Sequence, residues 1–447
     1  MRAVLDAAIK RYAALAVPRY TSFPTAADFT AVGEEVTRRW LRQIGEEDTL
    51  SLYIHVPYCK QICHYCGCHA KMALRDDVVE SFVFALLHEI EIVISNLAVR
   101  PQIKHLHWGG GTPSILSPEQ FTRILSALRR GFDFHPEAEH AIELDPRTVT
   151  PALAKTLAAM KVNRASLGVQ DIDPTVQTAI GRIQPIETVI NATKYLRDVG
   201  INRLNFDLIY GLPFQTALTL KNTCEQVAAL APDRIACFGY AHLPHRRANQ
   251  RLINAADLPN AEERFVQAGI VAENFERFGY RPIGIDHFAL PHDDLAIAAE
   301  DGVLNRNFQG YTTDNCQTLI GLGPSSISQF PGGYTQNISD VKRYSQCLSK
   351  GTLATTRGYV MRETDRIRAA IIASLMCNFR VDLNEIAPDT EFADEAALLR
   401  PLISDGLVEM RDGVITATTA GKPLIRLVAA VFDEFRKENA KGFSMAI

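Results

Sequence analysis

The sequence contains nothing suited to crossing a membrane. No uncharged apolar run approaches the ~20 residues that a bilayer requires. The first twenty residues place Asp6, Lys10 and Arg11 inside what would have to be the apolar core of an export signal. A cytoplasmic protein with no membrane partner is therefore expected. A dominant charge is also missing. The 47 Lys and Arg against 51 Asp and Glu leave a net charge of -4 over 447 residues, which gives no broad attraction to nucleic acid. Internal repeats and low-complexity segments are lacking. The nine cysteines do not read as a disulfide framework in a reducing compartment. Five of them, Cys224, Cys237, Cys316, Cys347 and Cys377, are scattered and are expected to be small buried apolar residues.

What is present is an ordinary globular composition, 47% hydrophobic and 22% charged, in a chain longer than one usual domain. Residues 1–48 read as an N-terminal arm or lid, with a turn-rich Pro18–Phe29 and a helix predicted over Gly33–Ile44. Strand and helix patterns then alternate six times. The strands fall at Leu52–Val56, Lys104–Trp108, Ala141–Leu144, Ala165–Val169, Leu204–Ile209 and Ile235–Tyr240. In the predicted helix Asp76–Asn96, Val78, Phe82, Leu86, Ile90 and Val93 share one face. Ser117-Pro118-Glu119-Gln120 supplies an N-cap, a first-turn proline and a capping-box glutamine to another. Repeated βα units imply a parallel sheet, open or curled, and six units fit a partial TIM-like barrel.

The barrel and a less regular extension are assigned to residues 49–355. Residues 356–447 read as a small C-terminal domain with helices at Glu363–Leu375 and Glu395–Leu402, a hairpin turning at Arg411-Asp412-Gly413, and a helix near Pro423–Phe435. That order suggests a winged-helix-like shape. It lacks a marked basic helix, and the shape alone is no evidence of DNA binding.

Chemistry concentrates directly after the first strand, where Cys59, Cys63 and Cys66 stand at C-x3-C-x2-C spacing and Cys68 follows. Thiolates suit zinc or an iron–sulfur cluster. A structural zinc site normally joins two separated ligand pairs. Here the ligands crowd one loop, and no second C-x2-C or H-x3-H pair exists, so a cluster is the stronger reading. Three cysteines leave one iron of a four-iron cluster open for a substrate or cofactor. The short step to Cys68 is expected to turn its thiol toward the cavity. After the second strand, Gly109-Gly110-Gly111-Thr112 removes three Cβ atoms and would let a polar ligand approach the backbone. Glu143, Gln170, Asp207 and Tyr240-Ala241-His242 mark the ends of, or lie within, later strands. In βα barrels the active site is built at the C-terminal ends of the strands, and a carboxylate in an apolar strand such as Asp207 must be paired or ligand-bound.

These motifs resemble the radical S-adenosylmethionine superfamily and, within it, the oxygen-independent coproporphyrinogen III oxidases. The resemblance runs through PRYTSFPTA (Pro18–Ala26), CGC (Cys66–Cys68), HWGGGTP (His107–Pro113), ELDPR (Glu143–Arg147), GVQD (Gly168–Asp171), DLIYGLP (Asp207–Pro213), YAHLP (Tyr240–Pro244), DHFALP (Asp286–Pro291) and NRNFQGYTT (Asn305–Thr313). It implies a monomer holding one [4Fe–4S] cluster on Cys59, Cys63 and Cys66 and two S-adenosylmethionine molecules. The first would meet Tyr53, Gly110, Glu143 and Ile327. The second would meet Tyr65, Gly111, Thr112, Gln170, Arg182, Asp207 and Ala241. It further implies a 5′-deoxyadenosyl radical that abstracts hydrogen from two propionates of coproporphyrinogen III. Loss of CO2 then leaves the vinyl groups of protoporphyrinogen IX, and the electron donor and acceptor stay unidentified. Cys68 would handle protons or electrons, and Arg19, Arg246, Arg247 and Arg306 would face the carboxylates. The sequence departs from the family pattern at Gly181, Tyr65, His69 and Pro324-Ser325. A haem chaperone sharing the three-cysteine motif is the alternative, and Cys68, the arm and NRNFQGYTT favour the enzyme.

Overall fold

The computed structural model describes residues 11–12 and 15–437. Asp6, Lys10, the first ten residues of the arm and the last ten of the chain lie outside the described residues. Six parallel strands form as expected: β1 (Thr49–Val56), β2 (Gln102–Gly110), β3 (Asp133–Leu144), β4 (Arg164–Gln170), β5 (Arg203–Tyr210) and β6 (Arg234–Gly239). They pair in sequence order, and helices α1 (Asp76–Asn96), α2 (Pro118–Gly131), α3 (Pro151–Ala159), α4 (Ile186–Arg197) and α5 (Ala217–Ala229) connect them. The predicted capping box at the start of α2 is present. Ser117 Oγ accepts from the Gln120 amide, and Gln120 Oε1 accepts from the Ser117 amide. Helix α6 (Ala261–Arg277) follows β6.

The two-residue period of the strands sorts their side chains. Leu50, Leu52, Leu106, Trp108, Ile142, Leu167, Phe206, Leu208 and Ile235 pack in one apolar cluster with Phe82, Leu86, Phe121 and Ile124 of the helices. The alternate positions face the concave side and are mostly polar: His107, Glu139, Glu143, Ser166, Gln170, Asn205 and Asp207 all line one cavity. A strand buried on both faces would read as a continuous apolar run. Here the polar alternate positions instead announce a hollow interior.

The segment read as irregular proves to extend the sheet. β7 (Thr318–Leu322), buried throughout, runs parallel to β1 on the side away from β2. Antiparallel β8 (Ile327–Phe330), β9 (Gly333–Asn337) and β10 (Thr355–Val360) continue outward. The 13 strands end at two free edges, so the barrel is partial. Sequence patterning missed β7 because no helix follows it to complete a βα unit. Fully buried Glu89 of α1 pins this extension by accepting from the Gly323 amide, Asn337 Nδ2 and the Tyr344 hydroxyl, each at 2.6 Å.

In the C-terminal part, helices Glu363–Asn378, Ala393–Ser404 and Ile425–Val431 pack with a three-stranded sheet, Arg380–Asp382, Val408–Arg411 and Val414–Ala417. The hairpin turns at Asp412 and Gly413, both at positive φ. Tyr12, Val17, Tyr20 and Phe23 of the arm belong to the same apolar cluster as Ile371, Leu375, Leu399, Ile425 and Phe432. Arm and C-terminal helices thus share one core. Among the described residues no helix is long and apolar enough to cross a membrane.

Candidate active site

A cavity of about 500 Å³ opens at the C-terminal ends of β2–β6. Its wall carries Cys59, Cys63, Cys66 and Cys68 together with Gly110, Gly111, Thr112, Glu143, Gln170, Arg182, Asp207, Tyr65 and Ala241. Tyr53 and Ile327 stand outside this lining. Tyr53 stacks on His107 of the wall at 5.8 Å between ring centres, with its hydroxyl 3.3 Å from His55 Nδ1, and Ile327 stands on β8, two strands beyond β1.

The cysteine loop is fastened from below by side chains that motif reading did not single out. Asn249 Nδ2 donates to the carbonyls of Cys63, His64 and Cys66 at 2.9–3.1 Å, and Gln250 Nε2 donates to those of Tyr65 and Ala241. Nothing in the short 3-10 helix Ala248–Leu252 marks these two residues, because their role depends on contacts with a loop about 185 positions earlier. Asn249→Ala is expected to leave the fold intact and to lower the iron retained after desalting, read by iron analysis of the reconstituted enzyme. Retention equal to wild type would show that the loop holds its shape without these bonds.

The departure at Gly181 has a structural reason. Its φ is +64°, and a Cβ there would come within 2.6 Å of the His64 ring. Gly181 therefore lets the His64 side chain lie against this turn, where its Nδ1 is 3.1 Å from the Ala179 carbonyl. Arg182, the next residue, is buried in the wall. Its guanidinium reaches the Gly168 carbonyl at 2.8 Å, Asp145 at 3.2 Å and Cys63 Sγ at 3.5 Å.

The glycine strip has a packing role that its pattern does not show. Its absent Cβ atoms would meet protein. A Cβ on Gly109 would lie 2.5 Å from Glu143 Oε1, on Gly110 2.7 Å from the His55 ring, and on Gly111 2.5 Å from the Tyr58 carbonyl oxygen. The strip is bare so that β1 and the cysteine loop can lie against it. The amides of Gly111 and Thr112 then donate to the Val56 and Tyr58 carbonyls at 2.8 Å.

Charges around the cavity are managed individually. Burial raises the Glu143 carboxyl, but bonds from His107 Nε2 at 3.0 Å and the Gly110 amide at 3.1 Å outweigh it, so its pKa ends below the usual value. Asp207 accepts from Ser166 Oγ and Asn205 Nδ2, yet burial prevails and pushes it up to about 6. Gln170 ends β4 at φ +66°, beside a register shift, a strained conformation for a residue with a side chain.

The sulfur atoms are equally differentiated. Burial pushes Cys59 up to about 11, while the Thr112 hydroxyl donates to its Sγ at 3.3 Å. The hydrogen bond from Cys68 lowers Cys66 and raises Cys68 itself. Cys68 thus lines the cavity as expected, with its thiol turned to Cys66. Of the scattered cysteines, Cys224, Cys237 and Cys377 are buried, whereas Cys316 and Cys347 are only half-buried. Of the four arginines proposed for the mouth, Arg19 binds Asp286 at 2.5 Å and lies over the Phe238 ring, which lines the cavity, and Arg306 donates to the Arg19 carbonyl. Arg247 is close enough to favour the Cys66 thiolate.

The donor set fits an iron–sulfur cluster on this chain's own geometry. Three thiols share one loop, two of them receive hydrogen bonds from Thr112 and Arg182, and a cavity lies directly in front. Comparison with known proteins agrees. Residues 53–227 match the family model described as the radical SAM superfamily. The oxygen-independent coproporphyrinogen III oxidase of Bradyrhizobium diazoefficiens is 44% identical over 423 residues, covering 93% of this chain and 94% of that protein. The protein of the same name from Escherichia coli is 39% identical over 431 residues, 95% of this chain and 94% of that one. The solved structure of the coproporphyrinogen III oxidase HemN of Escherichia coli, a radical SAM enzyme by its description, superimposes with a TM-score of 0.89 at 39% identity, covering 93% of this chain and 97% of that one.

Proposed function

Because this chain belongs to the oxygen-independent coproporphyrinogen III oxidases of the radical SAM superfamily, we infer that it converts two propionate side chains of coproporphyrinogen III to vinyl groups, giving protoporphyrinogen IX. The observation that carries this reading is the single cavity whose wall holds the three-cysteine loop together with Glu143, Gln170 and Asp207. Relatives at about 40% identity over nearly the whole chain are oxidases by name, which favours the enzyme over a haem chaperone.

A [4Fe–4S] cluster with S-adenosylmethionine supplies, when bound, the one-electron chemistry that side chains lack. Cys59, Cys63 and Cys66 would hold the cluster. Glu143, Gly110, Tyr53 and Ile327 would serve one S-adenosylmethionine. Gln170, Asp207, Arg182, Tyr65, Gly111, Thr112 and Ala241 would serve a second. Glu143, ionised and held by His107, offers an oxygen acceptor to an ammonium or hydroxyl. Asp207 offers the same two strands away, oriented by Ser166 and Asn205. Arg182 secures Cys63 and the Gly168 backbone, so its contribution is to the shape of the wall as well as to a carboxylate. The arm, carrying Arg19 to the edge of Phe238, would cover the mouth and exclude water. The remaining assignments are a monomer, a cytoplasmic location and an external electron donor and acceptor.

The test is anaerobic reconstitution with iron and sulfide, then reduction in the presence of S-adenosylmethionine and coproporphyrinogen III. Protoporphyrinogen IX and two CO2 per porphyrinogen are expected. Formation of 5′-deoxyadenosine without protoporphyrinogen would overturn the substrate assignment and keep the radical chemistry.

Asp207 also sets a pH dependence. With its pKa pushed up to about 6, the carboxylate accepts hydrogen bonds above that pH and is protonated below it. Affinity for S-adenosylmethionine at this position should fall about tenfold per pH unit below about 6. Asp207→Asn should bind weakly and without that slope. Calorimetry on the cluster-loaded enzyme between pH 5 and about 8 measures it; a flat wild-type profile would remove Asp207 from the binding groups.

A further inference from the structure

We propose that His105, Asp314 and Cys316 form a binding site for a divalent transition metal, zinc by the chemistry of its donors, at the end of the barrel opposite the cysteine loop. His105 lies in the first half of β2, and Asp314 and Cys316 lie on the segment that leads into β7. One imidazole nitrogen, one carboxylate oxygen and the thiol sulfur all lie within 4.8 Å of one another, the one such group found among the described residues.

The His105–Asp314 spacing is that of an ion's ligands more than of a hydrogen bond. His105 Nε2 and Asp314 Oδ1 face each other at 3.6 Å, too far for a hydrogen bond. Zinc bonds of about 2.0–2.3 Å in a tetrahedron hold their ligand atoms about 3.3–3.7 Å apart. The His–Asp pair already stands at that separation, and the thiol closes the rest by a small side-chain rotation. Cys316 Sγ has the Thr49 hydroxyl at 3.6 Å, and Ser51 and Asp314 also lie within its reach.

The surroundings supply what a metal site requires beyond its ligands. The Ser51 hydroxyl donates to Asp314 Oδ2, and the Cys316 amide donates to Oδ1 at 2.9 Å, so the carboxylate is oriented before any ion arrives. All three ligand residues are half-buried, which lowers the cost of stripping water from the ion without sealing it out. His105 keeps 21% of its side-chain surface, leaving an entry path and a fourth position for water. An imidazole, a carboxylate and a thiolate together suit zinc better than calcium or magnesium, which take oxygen donors.

The location suggests what the ion does. Thr318 pairs with Leu50 at the start of β7, two residues beyond Cys316. A metal joining the segment before β7 to β2, across the start of β1, clips the extension onto the parallel sheet.

The test uses the anaerobically reconstituted holoenzyme, incubated with equimolar zinc, desalted and analysed by elemental mass spectrometry. One zinc per chain is expected beside the cluster iron. Cys316→Ser and His105→Gln should each weaken zinc retention at least about tenfold with iron unchanged, and Cys347→Ser, at another half-buried cysteine, should retain it. X-ray absorption at the zinc edge of the wild-type enzyme should show one sulfur among nitrogen and oxygen ligands, a reading independent of whether any variant folds. A wild-type enzyme without zinc, zinc unaffected by Cys316→Ser, or a shell of several sulfurs, which would place the ion on the cluster cysteines, overturns the proposal.

Discussion

Cys63→Ala is expected to yield a folded, colourless chain with no turnover. The fold should survive because the loop's position does not depend on that thiol. The His64 amide bonds the Ile180 carbonyl at 2.9 Å, and Asn249 and Gln250 hold four carbonyls of residues 63–66. The chemistry should not survive. Removing one of three thiolates leaves too few ligands for the cluster, and the reaction loses its only source of one-electron chemistry. Turnover then falls by at least about 10⁶-fold, to the uncatalysed background. Iron analysis, the visible spectrum and 5′-deoxyadenosine formation read the loss, and far-ultraviolet circular dichroism checks the fold. One outcome would revise the ligand set. Cys68 is hydrogen-bonded to Cys66, and a Cys63→Ala enzyme that kept its cluster would mean that Cys68 had replaced the lost ligand.

Gly111→Ala should cost nearly as much, for a purely steric reason. The new methyl would lie 2.5 Å from the carbonyl oxygen of Tyr58, 2.8 Å from its carbonyl carbon and 3.0 Å from its nitrogen. All three are backbone atoms, so no side-chain rotation relieves the contact. The segment must move, and Cys59 is the next residue. A shift near 1 Å costs on the order of 10²-fold in rate, and less iron should be retained. Gly67→Ala provides the contrast. It sits between two cysteines of the motif, yet a Cβ there meets nothing within 4 Å. It should retain iron as wild type does. Equal iron content in the two variants would show that the glycine strip is not what seats the cysteine loop.

The strip also shows how far residue patterns reach. GGGT after a strand was readable as a functional element, but its packing role was not. Sequence shows that Cβ atoms are missing, not which surface approaches the space. The six βα units were legible because each combines a period-two strand with a period-3.6 helix, and the capping box at Ser117 gave a boundary to within one residue. β7 was hidden, since five buried residues without a following helix have no periodicity to read. The candidate cysteine ligands were legible from spacing alone. Asn249, which acts on a loop about 185 residues earlier, left no local trace, because it depends on tertiary contact. Tyr53 and Ile327 were assigned through family resemblance, and neither lines the cavity wall.

The apolar core shared by Tyr12, Val17, Tyr20 and Phe23 with the C-terminal helices sets an order of events during synthesis. These four side chains leave the ribosome first and must wait for Ile371 and Phe432, about 350 residues or more behind them. At about 5–20 residues per second, that delay is about 20–70 s. All six strands of the parallel run through β6, and the cysteine loop itself, emerge well within it. The nascent barrel therefore spends most of its translation with the arm undocked. On the proposed role of the arm as a cover, that interval is when Cys59, Cys63 and Cys66 are most accessible, and it ends when the C-terminal helices arrive.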